Sequence, residues 1–85
     1  IKILNNKIME INEFLENMKE VLEDTDAQLI NVNAIFRDFD EWDSMAALTL
    51  IAMADQEYSV KLTGDDIKSS NTLEDIFNIL KNKVN

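Results

Sequence analysis

The stretch from Asp43 to Tyr58, DSMAALTLIAMADQEY, decides the fold that the rest of the chain completes. Asp43 or Ser44 can cap a helix, because each has a short side chain that accepts a hydrogen bond from the free N–H groups of a first turn. The residues that follow are mostly apolar and include no glycine or proline. We therefore predict a helix from about Ser44 to Glu57.

This helix has more apolar surface than one contact with a core requires. Two stripes with helical spacing run along it, one formed by Ala47, Leu50, Ile51, Ala54 and Tyr58, the other by Met45, Leu48 and Ala52. If one stripe faces the core, the other is either covered by a neighbouring segment or left exposed for a partner.

Toward the N-terminus the pattern predicts an amphipathic first helix from Ile8 to Leu22, with the core-facing positions Ile8, Ile11, Phe14, Leu15, Met18, Val21 and Leu22. Residues 23–43 lose this rhythm but keep too many apolar side chains for a free linker. We expect them to form a long loop packed on the domain, with a short turn near Val32 to Ile35.

Toward the C-terminus, Val60 and Leu62 alternate with polar neighbours. Thr63 and Asp66 then stand three residues apart, which is typical of a capping box and predicts one short turn of helix. The same spacing recurs at Thr72 and Asp75 and predicts a last helix with a core-facing stripe of Leu73, Ile76, Phe77 and Leu80.

The predicted fold class is all-α, a small four-helix bundle with three main helices, one short helix and a long loop between helices one and two. An 85-residue chain fits a single domain over residues 1–85, in which residues 1–8 can be an extra N-terminal segment because the later pattern does not need them.

Composition excludes several classes of function. The chain has 17 acidic and 8 basic residues, a formal net charge of −9, so we expect no binding to nucleic acid. The longest mostly apolar stretch, Met45 to Ala54, falls short of the roughly 20 residues that span a bilayer, so we expect no membrane insertion. Nothing in the chain indicates secretion, and we expect a cytoplasmic protein.

Catalysis by the chain alone is also not expected. The sequence has no cysteine and no histidine, which removes the usual nucleophiles, general bases and zinc ligands. A calcium loop starting at Asp38 would need glycine and glutamate where Asp43 and Thr49 stand, so we predict no metal site. Nothing nearby activates Ser44, so we predict that the protein is not an enzyme.

Acidic residues surround the predicted second helix. No basic residue lies between Arg37 and Lys61, whereas six acids do: Asp38, Asp40, Glu41, Asp43, Asp55 and Glu57. This run is either a solvated face or, together with the spare apolar stripe, a docking face for basic partners. The candidate partner-binding residues are Met45, Leu48, Ala52, Asp55, Glu57, Asp40 and Glu41.

The sequence is consistent with two roles for Ser44. It can cap the helix, or it can accept a phosphoryl-linked group from another enzyme, since a helix N-terminus favours an attached phosphate by roughly 0.3 to 1 kcal/mol.

The residues resemble a known family. Asp43-Ser44-Met45, the apolar helix ending near Tyr58, then Val60, Leu62, Thr63-Gly64-Asp65-Asp66-Ile67 and Thr72-Leu73-Glu74-Asp75-Ile76 are together similar to an acyl carrier protein, from about Met9 to Lys83. The resemblance implies that Ser44 carries 4′-phosphopantetheine, added from coenzyme A by a phosphopantetheinyl transferase with Mg²⁺, and that Asp43 helps to place that metal ion and the phosphate. It also implies a core face of Leu50, Ile51, Ala54 and Tyr58, with Met45, Leu48 and Ala52 beside the arm and facing partner enzymes.

The chain departs from the family pattern in two places. Ala46 and Thr49 are neutral where carriers of fatty acid synthesis usually have acids, and Glu41-Trp42 replaces a glycine-containing approach to the motif. Trp42 before Asp-Ser is similar to carriers in specialised pathways, and Asp-Ser-Met resembles the D-alanyl carrier proteins. Trp42 itself is either a loop anchor or a cargo contact.

The resemblance therefore implies a monomeric carrier that delivers acyl thioesters on an arm at Ser44 to acyl-transferring or acyl-ligating enzymes with basic docking patches, in fatty acid or specialised acyl biosynthesis. The alternative is a helical interaction module with an acidic docking helix and no prosthetic group, in which Ser44 is only a cap.

Overall fold

A computed structural model of the chain describes residues 10–84. These residues form four α-helices: α1 Ile11–Val21, α2 Ser44–Tyr58, α3 Gly64–Lys68 and α4 Leu73–Val84. Two 3-10 turns, Ala27–Leu29 and Phe36–Asp38, lie in the long segment between α1 and α2. The described part of the chain has no strand, only one isolated bridge between Ile35 and Thr72. The all-α fold of three main helices and one short helix is confirmed.

One hydrophobic core joins the four helices. Phe14 of α1 and Phe77 of α4 pack with their ring centroids 5.5 Å apart, and Leu50 of α2 is fully buried. The other buried apolar side chains are Met18, Val21, Leu22, Ile30, Phe36, Ala46, Ala54, Val60, Leu62, Ile67, Leu73, Ile76 and Leu80. The core stripes predicted for the first and last helices are therefore confirmed, except that Ile8 lies outside the described residues and Ile11 and Leu15 are only half-buried.

The capping patterns in the C-terminal third form as the sequence predicts. Thr63 Oγ1 accepts the N–H of Asp66 at 3.1 Å, and Asp66 Oδ2 accepts the N–H of Thr63 at 2.9 Å. Thr72 and Asp75 exchange the same pair of bonds at 3.1 Å each. Each pair satisfies N–H groups that a helix start would otherwise leave free, which explains why α3 and α4 begin where they do.

The segment between α1 and α2 is fastened to the start of α4 by backbone hydrogen bonds. Leu73 donates to the carbonyl of Ala34 and Glu74 donates to that of Val32, both at 3.0 Å. The predicted turn near Val32 lies here and is closed by the N–H of Ala34 donating to Asn31. The flanking 3-10 turns were not predicted. Ile30 and Phe36 enter the core from this segment, so the long loop is packed as expected.

Arg37 holds this segment against α3. Its guanidinium donates to three main-chain carbonyls, those of Ser70 at 2.6 Å, Ile67 at 2.7 Å and Lys68 at 3.1 Å. The same group lies 4.8 Å from the centroid of the Phe36 ring. Ile67 and Lys68 lie in the last turn of α3 and Ser70 follows it, and a cation is favoured at the end of a helix. Arg37 therefore satisfies the end of α3 and ties it to the loop that leads to α2.

We expect Arg37→Ala to lower the free energy of unfolding by about 2 kcal/mol, because it removes charged hydrogen bonds to three carbonyls. Arg37→Lys should recover only part of this loss, since an ammonium does not match the fork of a guanidinium. Urea denaturation measures both. Lys19→Ala, which removes an exposed ion pair with Glu16, is the control and should change stability much less. Equal losses at positions 37 and 19 would contradict the anchoring role of Arg37.

Two carboxyls give the fold a dependence on pH. The Lys83 ammonium, which donates to Asp66 Oδ2 at 2.6 Å, and the backbone N–H of Thr63 lower the pKa of Asp66 below its ordinary value. The backbone N–H groups of Asn71 and Thr72 likewise lower the pKa of Asp75. Because the folded chain binds these protons less tightly than the unfolded chain, the stabilisation is complete above about pH 4 and is lost as the pH falls through the folded pKa values.

We therefore expect Asp66→Asn to be less stable than the wild type near pH 6, and we expect this difference to narrow as the pH falls through the folded pKa of Asp66. Urea midpoints measured from pH 6 to pH 2.5 give the two curves. If the difference in urea midpoint between the two proteins stays constant across this range, the charge of Asp66 does not contribute to stability.

Within residues 10–84, no helix combines the length and the hydrophobicity that crossing a membrane requires.

Candidate functional site

Asp43, not Ser44, caps α2. Asp43 has an extended backbone, and its Oδ1 accepts the N–H of Ala46 at 2.8 Å, while its carbonyl accepts the N–H of Ala47 at 3.0 Å. Ser44 is the first residue of the helix and is exposed. The choice that the sequence leaves open is thus decided in favour of Asp43, and the Ser44 hydroxyl is left outside the cap.

Contacts on two sides fix the loop residues that precede Ser44. The Trp42 ring packs edge-on against Phe36 with centroids 4.7 Å apart, and its backbone N–H donates to Phe39 at 3.0 Å. Glu41 turns the other way, and its Oε1 accepts the Thr25 hydroxyl at 2.7 Å and the backbone N–H of Asp24 at 3.1 Å. Trp42 is therefore a loop anchor, and Glu41 ties the approach to the end of α1.

A groove between α2 and α3 opens beside Ser44. It has a volume of about 560 Å³ and its walls are largely apolar, with Trp42, Ala47, Leu48, Ile51 and Ile67 as the main contributors. Arg37 and Lys68 also line it. Trp42 therefore both anchors the loop and faces this groove. Ile51, expected in the core, is half-buried and contributes to the wall.

The exposed apolar stripe of α2 is present but divided between two sides of the helix. Met45 is 67% exposed, Leu48 is 60% exposed, and Ala52 is also exposed. Leu48 borders the groove toward α3, whereas Met45 and Ala52 border hollows toward α1. By contrast, Leu50 and Ala54 are buried and Tyr58 is half-buried, in agreement with the predicted core stripe. Ala46, for which no core role was predicted, is buried as well.

The predicted acidic residues are likewise not one cluster. Asp55 follows Ser44 by eleven positions on the same side of the helix, about 16 Å along its axis. Glu57 lies toward α1, and Glu41 contributes to the hollow at the Ser44 end of that side. Asp40 lies in the loop, in a separate hollow that it shares with Asp24, Asp26 and Asp38. The acids therefore surround α2 instead of forming a single patch.

The site fits a phosphate-linked group on the Ser44 oxygen. The hydroxyl is accessible, the free N–H groups of the first turn of α2 are beside it, and the helix dipole favours an anion there. Lys68 supplies a cation to the neighbouring groove, whose apolar walls can take an uncharged chain. Residues 10–84 contain no group of three or more acidic side chains placed to hold a metal ion.

The sequence analysis did not identify three of the residues that line the groove. Arg37 and Lys68 come from the loop and from the end of α3, and Ile67 comes from the segment that the sequence analysis assigned only to a short helix. No sequence spacing links these positions to Ser44, since the folding of the loop onto α3 brings them together. In the sequence, the one indication of these residues was that the Thr63–Ile67 segment belongs to the family resemblance.

The comparisons with known proteins agree with this geometry. A family model described as the phosphopantetheine attachment site matches residues 12–80. Comparisons with curated proteins and with solved structures gave no match. The family match spans most of the chain and confirms the resemblance to carrier proteins. The chain therefore belongs to the phosphopantetheine attachment family, whose members carry a covalently attached 4′-phosphopantetheine group.

Proposed function

We propose that this protein is an acyl carrier in which Ser44 is the attachment site of 4′-phosphopantetheine. The observation that carries the proposal is an exposed serine hydroxyl at the first position of α2, not used as the helix cap and placed beside an apolar groove. We take residues 1–85 as one carrier domain, with residues 1–8 as an extra segment before the bundle.

When bound, the group supplies a thiol at the end of a flexible arm, on which acyl groups are held as thioesters. The chain's own residues attach and orient it. Ser44 Oγ provides the linking oxygen, and the first turn of α2 stabilises the phosphate by roughly 0.3 to 1 kcal/mol. Asp43 uses Oδ1 for the cap, which leaves Oδ2 for the Mg²⁺ ion of a phosphopantetheinyl transferase. Lys68 offsets negative charge near the arm.

The exposed face of α2 is where we expect partner enzymes to meet the carrier. Met45, Leu48 and Ala52 offer apolar contacts, and Asp40, Glu41, Asp55 and Glu57 surround them with negative charge. Basic patches on acyl-transferring or acyl-ligating enzymes complement this arrangement. Exposed charges raise the rate of encounter more than the lifetime of the complex, which suits a carrier that must leave each partner.

We further propose that the chain catalyses nothing by itself, is monomeric and acts in the cytoplasm. The neutral interior of α2 and the Trp42-Asp43-Ser44 approach favour a specialised acyl pathway over housekeeping fatty acid synthesis.

We expect one phosphopantetheine adduct, seen by intact mass spectrometry, after incubation with coenzyme A, Mg²⁺ and a broad-specificity transferase. Ser44→Ala should take up none. It should also melt within a few degrees of the wild type, because Asp43 provides the cap, whereas Asp43→Ala should lose about 1 kcal/mol of stability.

Ser69→Ala is the matched control, since Ser69 is another exposed serine, and it should be loaded like the wild type. A wild type that stays unmodified while remaining folded would favour the alternative, an interaction module without a prosthetic group. An adduct on Ser44→Ala would contradict the assignment of the site.

We also expect loading to change the fluorescence of Trp42, the one tryptophan of the sequence, because this ring lines the groove beside Ser44. A cargo that enters the groove displaces water from the indole, which should shift its emission to shorter wavelength.

The control is Leu48→Gln, which places a polar side chain in the groove and should reduce the shift. Identical emission spectra for unloaded, loaded and acylated protein would show that the cargo does not use this groove.

A further inference from the structure

The groove between α2 and α3, the α3-side groove, differs in charge from the rest of the protein. Two cations line it, Arg37 and Lys68, together with one acid, Asp43. In a chain with a formal net charge of −9, this is a local excess of positive charge. The groove therefore suits an anionic group, and its largely apolar walls suit the uncharged part of the same occupant.

The opposite side of α2 is acidic. No lysine or arginine lines the two hollows between α1 and α2. The acids that line them are Glu20, Glu23, Glu41, Asp43 and Glu57. Neither of the two ion pairs formed within residues 10–84 involves these acids. A negative group attached at Ser44 is therefore repelled on the α1 side of the helix and attracted on the α3 side.

Lys68 is the cation of the groove that can respond to such a group. The Arg37 guanidinium already donates to three main-chain carbonyls at and just after the end of α3, which fixes its position. The Lys68 side chain is exposed and belongs to neither ion pair within residues 10–84. Its backbone carbonyl, however, is held by Arg37 at 3.1 Å. A flexible ammonium therefore extends from a fixed point on the wall of the groove.

The start of α2 supplies two further donors beside the Ser44 oxygen. Asp43 accepts the N–H groups of Ala46 and Ala47. The N–H groups of Ser44 and Met45 form no hydrogen bond with another described residue. Such free donors favour an anion at the serine, but the helix dipole acts along the axis and does not select a side of α2. A cation on one side of the helix does select one.

We propose that Lys68 is a positioning residue for the prosthetic group: its ammonium binds the phosphate attached to Ser44 and directs the arm into the α3-side groove. The phosphate is the first anion that this groove meets, because its attachment to Ser44 gives it a high effective concentration there. Ala47 and Ile51 on the wall then lie beside the uncharged remainder of the arm. This inference rests on the proposed function of Ser44.

The sequence has no cysteine, so the thiol of the arm is the only thiol that a nitroxide reagent can label in the loaded protein. Loading is first verified by intact mass. The paramagnetic broadening of each backbone amide signal then reports how close the end of the arm comes. We expect stronger broadening at Gly64 and Ile67, in the α3-side groove, than at Glu20 and Val21, in the hollows toward α1.

Lys68→Glu should lower the ratio of broadening between the two sides about threefold, because it replaces attraction of the phosphate by repulsion. Lys61→Glu is the matched control, since it changes the charge equally at an exposed lysine that does not line the groove, and it should leave the ratio unchanged. Lys68→Arg should retain the wild-type ratio, and 1 M salt should lower the ratio in the wild type. Melting curves establish that each variant folds. Should Lys68→Glu unfold, Lys68→Gln is compared with Lys61→Gln.

The ³¹P signal of the loaded protein tests the contact with the phosphate without any label. We expect a narrower line for Lys68→Gln than for the wild type or Lys61→Gln, because the phosphate is then held less tightly. Identical line widths in the two glutamine variants, or equal broadening ratios in the two glutamate variants, would overturn the role of Lys68. So would a wild type that shows its strongest broadening at Glu20 and Val21. A wild type that never acquires the group would instead overturn the proposed function of Ser44.

Discussion

The three hydrogen bonds from Arg37 to the end of α3 are the contact on which the site depends. They hold the long segment after α1 against α3, and this segment delivers Trp42 and Asp43 to the start of α2. The packing of Trp42 on Phe36 then fixes the last residues before Ser44. Arg37 is the side chain whose hydrogen bonds connect this loop to α3, so it links the wall of the α3-side groove to the cap of α2.

The two sides of α2 differ in the charge of the residues that surround them. From Ser44 to Ala54 the helix has no charged residue, so neighbouring residues determine the charge there: Arg37 and Lys68 toward α3, and Glu20 and Glu23 toward α1. The two sides of α2 therefore differ in charge.

The sequence predicted most of the fold because its signals are local. Helical spacing placed Phe14, Met18 and Leu80 in the core, and the threonine and aspartate pairs at 63/66 and 72/75 marked two helix starts through bonds within a single turn. The end of α2 carries no such signal, since Ser59 adopts the left-handed conformation (φ 56°) that usually favours glycine. The α3-side groove could not be derived at all, because Arg37 and Ile67 are thirty residues apart and meet only through the tertiary fold.

All three acceptors of the Arg37 guanidinium are main-chain oxygens, so the anchor places no demand on the side chains at positions 67, 68 and 70. Position 68 is the most exposed of the three. A substitution at this position alters the polarity of the groove beside Ser44, while the attachment of the loop persists. The polarity of the groove can therefore change without loss of the contact that holds the loop.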